Sequence, residues 1–337
     1  MTTYCLKYRQ LLIFSQCCIY LVIENTRHRS PRPTRKRSQR VLNFAVCKTQ
    51  LKVLYIFNKK MYHTAMRYKA IFCDFDGTLY REDHTISQVN KRAIKEFTQA
   101  GGKFVISTGR LFSAIYPKLE ELGLDGDVIV YQGGGIFDIK SKKQIFGRFF
   151  DKKDTIEVLK YVESLGEDYT PIVYINDTCH CMERNEAVDV FVGICAIGFN
   201  ETHRLLSQFV EESVDLPVKV VVLADDIHCQ KLVKEGQKKF PHLAIMRSHQ
   251  LVVEAITKGI NKGEAVKWLC NKYGISTDEA IAMGDSENDI EMIKAAGLGI
   301  AVGNAMPNVK LAADYIADTN DNDAVAKVIY EFCLTDK

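Results

Sequence analysis

The sequence has no C-x-x-C pair, only one acid (Glu24) in its first 65 residues, and no repeat or low-complexity tract beyond them. Each absence excludes something. Eleven cysteines without a C-x-x-C pair, seven of them after residue 65, do not form a disulfide framework. Free thiols in a reducing compartment, the cytoplasm, fit better. Cys179-His180-Cys181 offers two thiols on one face of a strand without completing a tetrahedral metal set, so these read as ordinary strand residues. The net charge of +3 is equally misleading. Thirteen Lys and Arg precede residue 66, leaving 32 basic against 41 acidic residues after it, a net of −9. A nucleic-acid partner therefore loses its support in the folded part.

Residues 11–23 are apolar behind Lys7 and Arg9, the general order of a signal peptide or anchor. The stretch is short for a bilayer, contains Ser15 and Gln16, and is followed by no small-x-small cleavage site. Residues 28–40 are basic and proline-containing, as transit peptides are Arg-rich and acid-poor. The first recognisable strand begins directly at Met66. Residues 1–65 are therefore expected to be a non-core extension ahead of a start at Met66, the alternative being a targeting or anchoring segment. No membrane contact is expected of the folded part.

The 337 residues, 47% of them hydrophobic, suffice for a large core and more than one folded unit. From residue 68 the pattern alternates: strand 68–73, helix 87–99 stopped by Gly101-Gly102, strand 103–107, helix 111–122, strand 127–131. It resumes near 251 with strand 251–255, helix 264–273, strand 280–283, helix 287–296 and strand 299–302, and ends in segments 314–317 and 324–332. The expected fold is α/β: a doubly wound parallel sheet, Rossmann-like, from residues 66–149 and 250–337, with an inserted α+β domain at 150–249. Ligands of such sheets sit at the carboxyl ends of the strands.

Polar segments fall at those ends. In Asp74-Phe75-Asp76-Gly77-Thr78-Leu79 the two carboxylates lie on one side of an extended chain and would repel one another without a cation. Mg²⁺, a hard ion taking oxygen ligands, suits that place; the bland alternative is a solvated turn. Ser107-Thr108-Gly109-Arg110 offers a hydroxyl and backbone N–H groups at a helix start, an anion site or an ordinary cap. Lys262 opposes the dipole of the helix it begins, which a purely structural cap would avoid, whereas Lys258 reads as solvated. Gly284-Asp285-Ser286-Glu287-Asn288-Asp289 adds a third strand-end acid and two polar groups on the next first turn.

Taken in order, DFDGTL, STGR, NKG, GDSENDIEMI and AVGNA resemble the haloacid dehalogenase-like hydrolases, specifically the Cof-type phosphatases with a large inserted cap, from about residue 66 to 332. The resemblance implies an enzyme hydrolysing phosphate monoesters of a small phosphorylated metabolite, such as a sugar phosphate. Asp74 would be the nucleophile that forms an aspartyl-phosphate, and Asp76 the acid and then base. Thr108, the Gly109 backbone, Lys262 and Asn288, with Phe75 beside them, would bind phosphate. Mg²⁺ would be held by Asp74, the Asp76 backbone carbonyl and Asp285, with Asp289 orienting Lys262 or a metal-bound water. Two alternatives stay open: a phosphomutase using the same aspartate, and a non-enzymatic phospho-receiver, which needs neither the second aspartate nor the insertion. Two departures stand out. Gln132-Gly133-Gly134 replaces a frequent Asn-Gly, and Asp321-Asn322-Asp323-Ala324 replaces an acidic-Gly pattern and reads as a helix cap.

Overall fold

The computed structural model describes residues 12–15, 18–21, 66–195 and 198–334. The chain divides into two compact units, Met1–Asn58 and Lys59–Lys337. In the first, β1 (Leu12–Ser15) and β2 (Cys18–Leu21) pair antiparallel, Leu12 opposite Leu21. The extension, targeting and anchoring readings otherwise fall outside the described residues. Among those described, no helix is long and apolar enough to cross a membrane.

The second unit holds two sheets. Eight strands form the core sheet: β3 (Ala70–Asp74), β4 (Lys103–Ser107), β5 (Asp127–Val130), β6 (Gly135–Asp138), β7 (Lys143–Gly147), and, after the insertion, β14 (Ala280–Gly284), β15 (Leu298–Ala301) and β16 (Tyr315–Ile316). Their order is β16-β15-β14-β3-β4-β5-β6-β7. From β16 to β5 every pairing is parallel. All five residues of β3 are buried, as a strand covered on both faces requires. Ile71 and Cys73 pack in one cluster with Ile94, Phe97 and Ile115 from the helices Gln88–Gln99 and Phe112–Glu121. Ala70 and Phe72 pack on the other side with Val266 and Leu269 of the helix Lys262–Tyr273. Each fully buried Phe, Ile or Leu in these layers contributes roughly 1.5–3 kcal/mol, so the sandwich is firmly set around the middle strands.

The cap sheet comprises β8 (Thr170–Ile175), β9 (Thr178–Cys181), β10 (Phe199–Glu201), β11 (Pro217–Leu223), β12 (Leu243–His249) and β13 (Val252–Thr257), in the order β10-β9-β8-β11-β13-β12. Helices Lys152–Glu163, Leu206–Glu212 and Asp226–Lys239 cover one of its faces through Val158, Leu159, Val210 and Leu232. Cys179 and Cys181 are buried on β9.

Three details differ from the sequence reading. The run 251–255 does not return the chain to the core: β13 pairs antiparallel with β11 and β12, so re-entry comes with the helix at Lys262. A short apolar run suits a central strand of either sheet, and periodicity does not name the sheet. The core sheet is also not parallel throughout, because β6 and β7 add an antiparallel edge. Finally, Asp323 makes no side-chain cap to the helix Ala324–Val328. It has φ 60°, and its carboxylate pairs instead with Arg81 at 2.6 Å.

Candidate active site

Parallel register brings the polar segments together. Asp74 lies level with Ser107 on β4, and Cys73 level with Met283 on β14, so the turns after β3, β4 and β14 share one edge. Gly77 closes the first turn at φ 79°, where a Cβ would stand 2.7 Å from Asp285 Oδ2. Only glycine allows these two segments to touch. Gly284 has the same function toward the next helix: a Cβ there would meet the Asp289 Cβ at 2.3 Å. From AVGNA, the Asn304 amide donates to the Gly77 carbonyl at 2.7 Å and accepts from the Asn320 N–H at 3.0 Å, pinning the turn.

At the centre is a buried charge cluster. Lys262 and Asp289 are fully buried and Asp74 is 6% exposed. Lys262 Nζ donates to Asp74 Oδ1 at 2.5 Å and to Asp289 Oδ1 at 2.6 Å. The other Asp289 oxygen accepts the N–H groups of Asp285 and Ser286, both at 3.0 Å. Asp285 accepts from Thr78 at 3.0 Å and Ser286 at 2.9 Å.

Burial and then the Asp289 carboxylate push the Asp74 carboxyl well above its ordinary range, against the pull of Lys262. Burial and Asp289 push Asp285 up as well, against hydrogen bonds from Ser286 and Thr78. Burial works against the Lys262 charge, but Asp289 and Asp74 outweigh it and hold the ammonium above its usual value. One carboxylate oxygen from each of Asp74, Asp285 and Asp289 lies within 4.8 Å of the others. Three acids against one ammonium leave unbalanced negative charge among hard oxygen donors, which fits a divalent cation such as Mg²⁺. Asp289 is the least suited of the three to ligate it, since the buried Lys262 ammonium and two backbone N–H groups hold its oxygens, whereas Asp285 is held by hydroxyls alone.

The remaining expected residues are placed unevenly. The Asp76 side chain is half exposed and turned from the cluster into a bidentate pair with Arg110, at 2.6 and 2.8 Å. The Phe75 ring is fully buried and stacked on Tyr80, so only its backbone can face a phosphate. Thr108 is buried and its hydroxyl accepts the Arg110 N–H at 3.2 Å. Gly109 lies against the Gln132 side chain. The Asn288 amide oxygen is buried and takes no hydrogen bond among the described residues; as an acceptor it suits a donor or a cation, and only the Nδ2 end of that amide could donate to a phosphoryl oxygen.

Sequence reasoning missed several neighbours. Arg110 ends the STGR run, which by itself points to no role for the guanidinium. Gln132, at φ 57°, donates through Nε2 to Glu254 of the cap at 3.1 Å, and Glu254 pairs with buried Lys219 at 3.1 Å. Lone opposite charges inside two apolar strand runs, VKVVV and VVEAI, were the available signal. Asp177, between β8 and β9, reaches the core helix Phe112–Glu121, and no local pattern announces that contact.

The haloacid dehalogenase-like hydrolase family model matches residues 71–329. Among curated relatives, the chain is 34% identical over 269 residues to 5-amino-6-(5-phospho-D-ribitylamino)uracil phosphatase YcsE of Bacillus subtilis, covering 79% of this chain and 96% of that one. It is 27% identical over 272 residues to the phosphoglycolate phosphatase of Methanobrevibacter smithii, covering 80% and 100%. A solved haloacid dehalogenase-like hydrolase from Bacteroides thetaiotaomicron superposes with TM-score 0.68 at 27% identity, covering 78% and 98%. The chain belongs to the haloacid dehalogenase-like hydrolases, in their Cof-type branch. It is a hydrolase of phosphate monoesters.

Proposed function

We propose that the protein is a Mg²⁺-dependent phosphatase for a small phosphorylated metabolite, working through an aspartyl-phosphate on Asp74. The observation that carries this reading is the buried Asp74–Lys262–Asp289 cluster with Asp285 beside it at the strand ends. Lys262 fixes one Asp74 oxygen, leaving the other to attack phosphorus in line. Lys262, Thr108, the Gly109 N–H and Asn288 would hold the phosphoryl oxygens as charge redistributes. Asp74, the Asp76 carbonyl and Asp285 would hold Mg²⁺, which supplies charge neutralisation to the phosphoryl group when bound. Asp289 positions Lys262. Residues 1–65 take no part in this chemistry.

Asp76 would protonate the leaving oxygen and then take a proton from the hydrolytic water, which requires its carboxylate to leave Arg110 and rotate toward Asp74. Asp76→Asn is expected to slow turnover by about 10²–10⁴-fold while phosphate still binds. Steady-state kinetics with inorganic phosphate as competitor checks both; unchanged turnover would remove Asp76 from the mechanism.

Chelation of Mg²⁺ should abolish turnover and lower the melting midpoint. Metal at a hundredfold excess over its Kd contributes about 2.7 kcal/mol to a state that alone binds it. Melting curves with and without Mg²⁺ and chelator measure this, and a midpoint indifferent to Mg²⁺ argues against the site. The substrate names of the relatives differ, so the leaving group here is open to a panel of phosphorylated metabolites assayed by phosphate release. No Mg²⁺-dependent release from any member would sink the reading.

A further inference from the structure

The helix Phe112–Glu121 is separated from the STGR turn by Leu111 alone and lacks a cap of its own: Leu111 stands at its N-cap and makes no side-chain bond. Its first N–H groups are satisfied from the other domain. Asp177 Oδ1 accepts the Phe112 N–H at 2.7 Å and Oδ2 accepts the Ser113 N–H at 2.7 Å. Oδ1 also accepts the Tyr131 hydroxyl at 2.6 Å, and the Asp177 carbonyl accepts the Ser113 hydroxyl at 3.2 Å. Tyr131 in turn donates its N–H to the Arg110 carbonyl at 3.2 Å. One cap carboxylate thus closes a ring of donors around the turn that bears Thr108, Gly109 and Arg110.

The residue sits where another would be easier. Asn176 and Asp177 form a two-residue hairpin between β8 and β9, at φ 51° and 55°. Such turns favour glycine at the second place, because a Cβ disfavours left-handed backbone. The chain keeps an aspartate there, and its carboxylate is spent wholly on the core. Burial and the Asp177 charge push the Tyr131 phenol well up, so it stays a donor.

We propose that Asp177 is a positioning residue for phosphoryl transfer, a cap carboxylate that N-caps the core helix in trans and so couples cap docking to the phosphate-binding turn. The inference rests on the proposed site. A docked cap orders the turn and shields the reacting phosphoryl group from water. Without the carboxylate the undocked state gains population, and substrate must drive closure from its own binding energy.

The test pairs Mg²⁺-dependent hydrolysis of p-nitrophenyl phosphate with amide hydrogen exchange, using the full chain. Asp177→Ala should raise KM about tenfold, the scale of a lost helix cap, with kcat held within about twofold. The Phe112 and Ser113 amides should exchange at least about tenfold faster, while β8 and β11 keep their protection. Asp177→Asn, with one acceptor oxygen left, should fall between. Unchanged exchange at Phe112 and Ser113, or a fall in kcat with KM unchanged, would overturn the proposal. So would uniform loss of protection across β8 and β11, which would mean the cap had failed to fold. If the wild type hydrolyses no monoester while exchange still responds, the positioning role falls together with the proposed mechanism, and only the docking contact survives.

Discussion

Asp74→Asn is expected to lose turnover by on the order of 10⁴-fold or more, the scale seen when a covalent nucleophile is removed, with the fold intact. An amide cannot form the acyl-phosphate, and among the described residues no other carboxylate is placed to replace it. Asp285 is engaged by Thr78 and Ser286, Asp289 by Lys262 and two backbone N–H groups, and Asp76 faces Arg110. The stability result should run the other way. Asp74 is pushed up by burial and by Asp289, so a neutral amide relieves crowding among three acids. The metal-free variant should melt at or above the wild-type midpoint, as expected where a site holds charge at the expense of stability. Kinetics and metal-free melting of one preparation check both. Retained turnover would discard the nucleophile, and a large fall in midpoint would discard the account of crowding.

Lys262→Met is expected to be damaging in both respects. The substitution keeps an unbranched side chain of similar length in a fully buried position, but strands the Asp74 and Asp289 carboxylates without their cation. Breaking a buried pair by removing one partner costs about 3–5 kcal/mol. For a protein of this size that lowers the midpoint by roughly 10 °C. Turnover should fall as well, since the same ammonium holds an Asp74 oxygen and, in the proposed mechanism, would face the phosphoryl oxygens. Added Mg²⁺ should recover part of the stability by restoring positive charge, but not the activity. A variant that melts like wild type in the absence of metal would show that the cluster is not held as an ion pair.

The candidate site was legible in the sequence where it lies in contiguous runs. Alternating strands and helices placed Asp74, Thr108, Lys262 and Asp285 at strand ends or helix starts, and parallel register made those ends one place. Contacts between side chains far apart in the chain were not legible. Nothing local in DFDG says that Asp76 will turn to Arg110, 34 residues on, and not toward Asp74. The cap was read least well for the same reason. β13 has the composition of a core strand, and only its partners β11 and β12 assign it to the second sheet. Glu254 and Asp177 gain their meaning from Gln132, Phe112 and Ser113, residues of the other domain. Asp323 misled in the opposite direction: an acid before a helix reads as a cap, and a left-handed φ with Arg81 in reach made it an ion-pair partner instead.

The covalent intermediate itself is the most direct test. With p-nitrophenyl phosphate the leaving group needs no proton, so Asp76→Asn should complete the first step and stall before hydrolysis. Quenching that variant with borohydride reduces an aspartyl-phosphate to homoserine, which peptide mass spectrometry can locate. The expected result is homoserine at position 74, dependent on substrate and Mg²⁺, and absent when Asp74→Asn is added. Steady hydrolysis with no modified residue at 74, or modification at another carboxylate, would contradict the account.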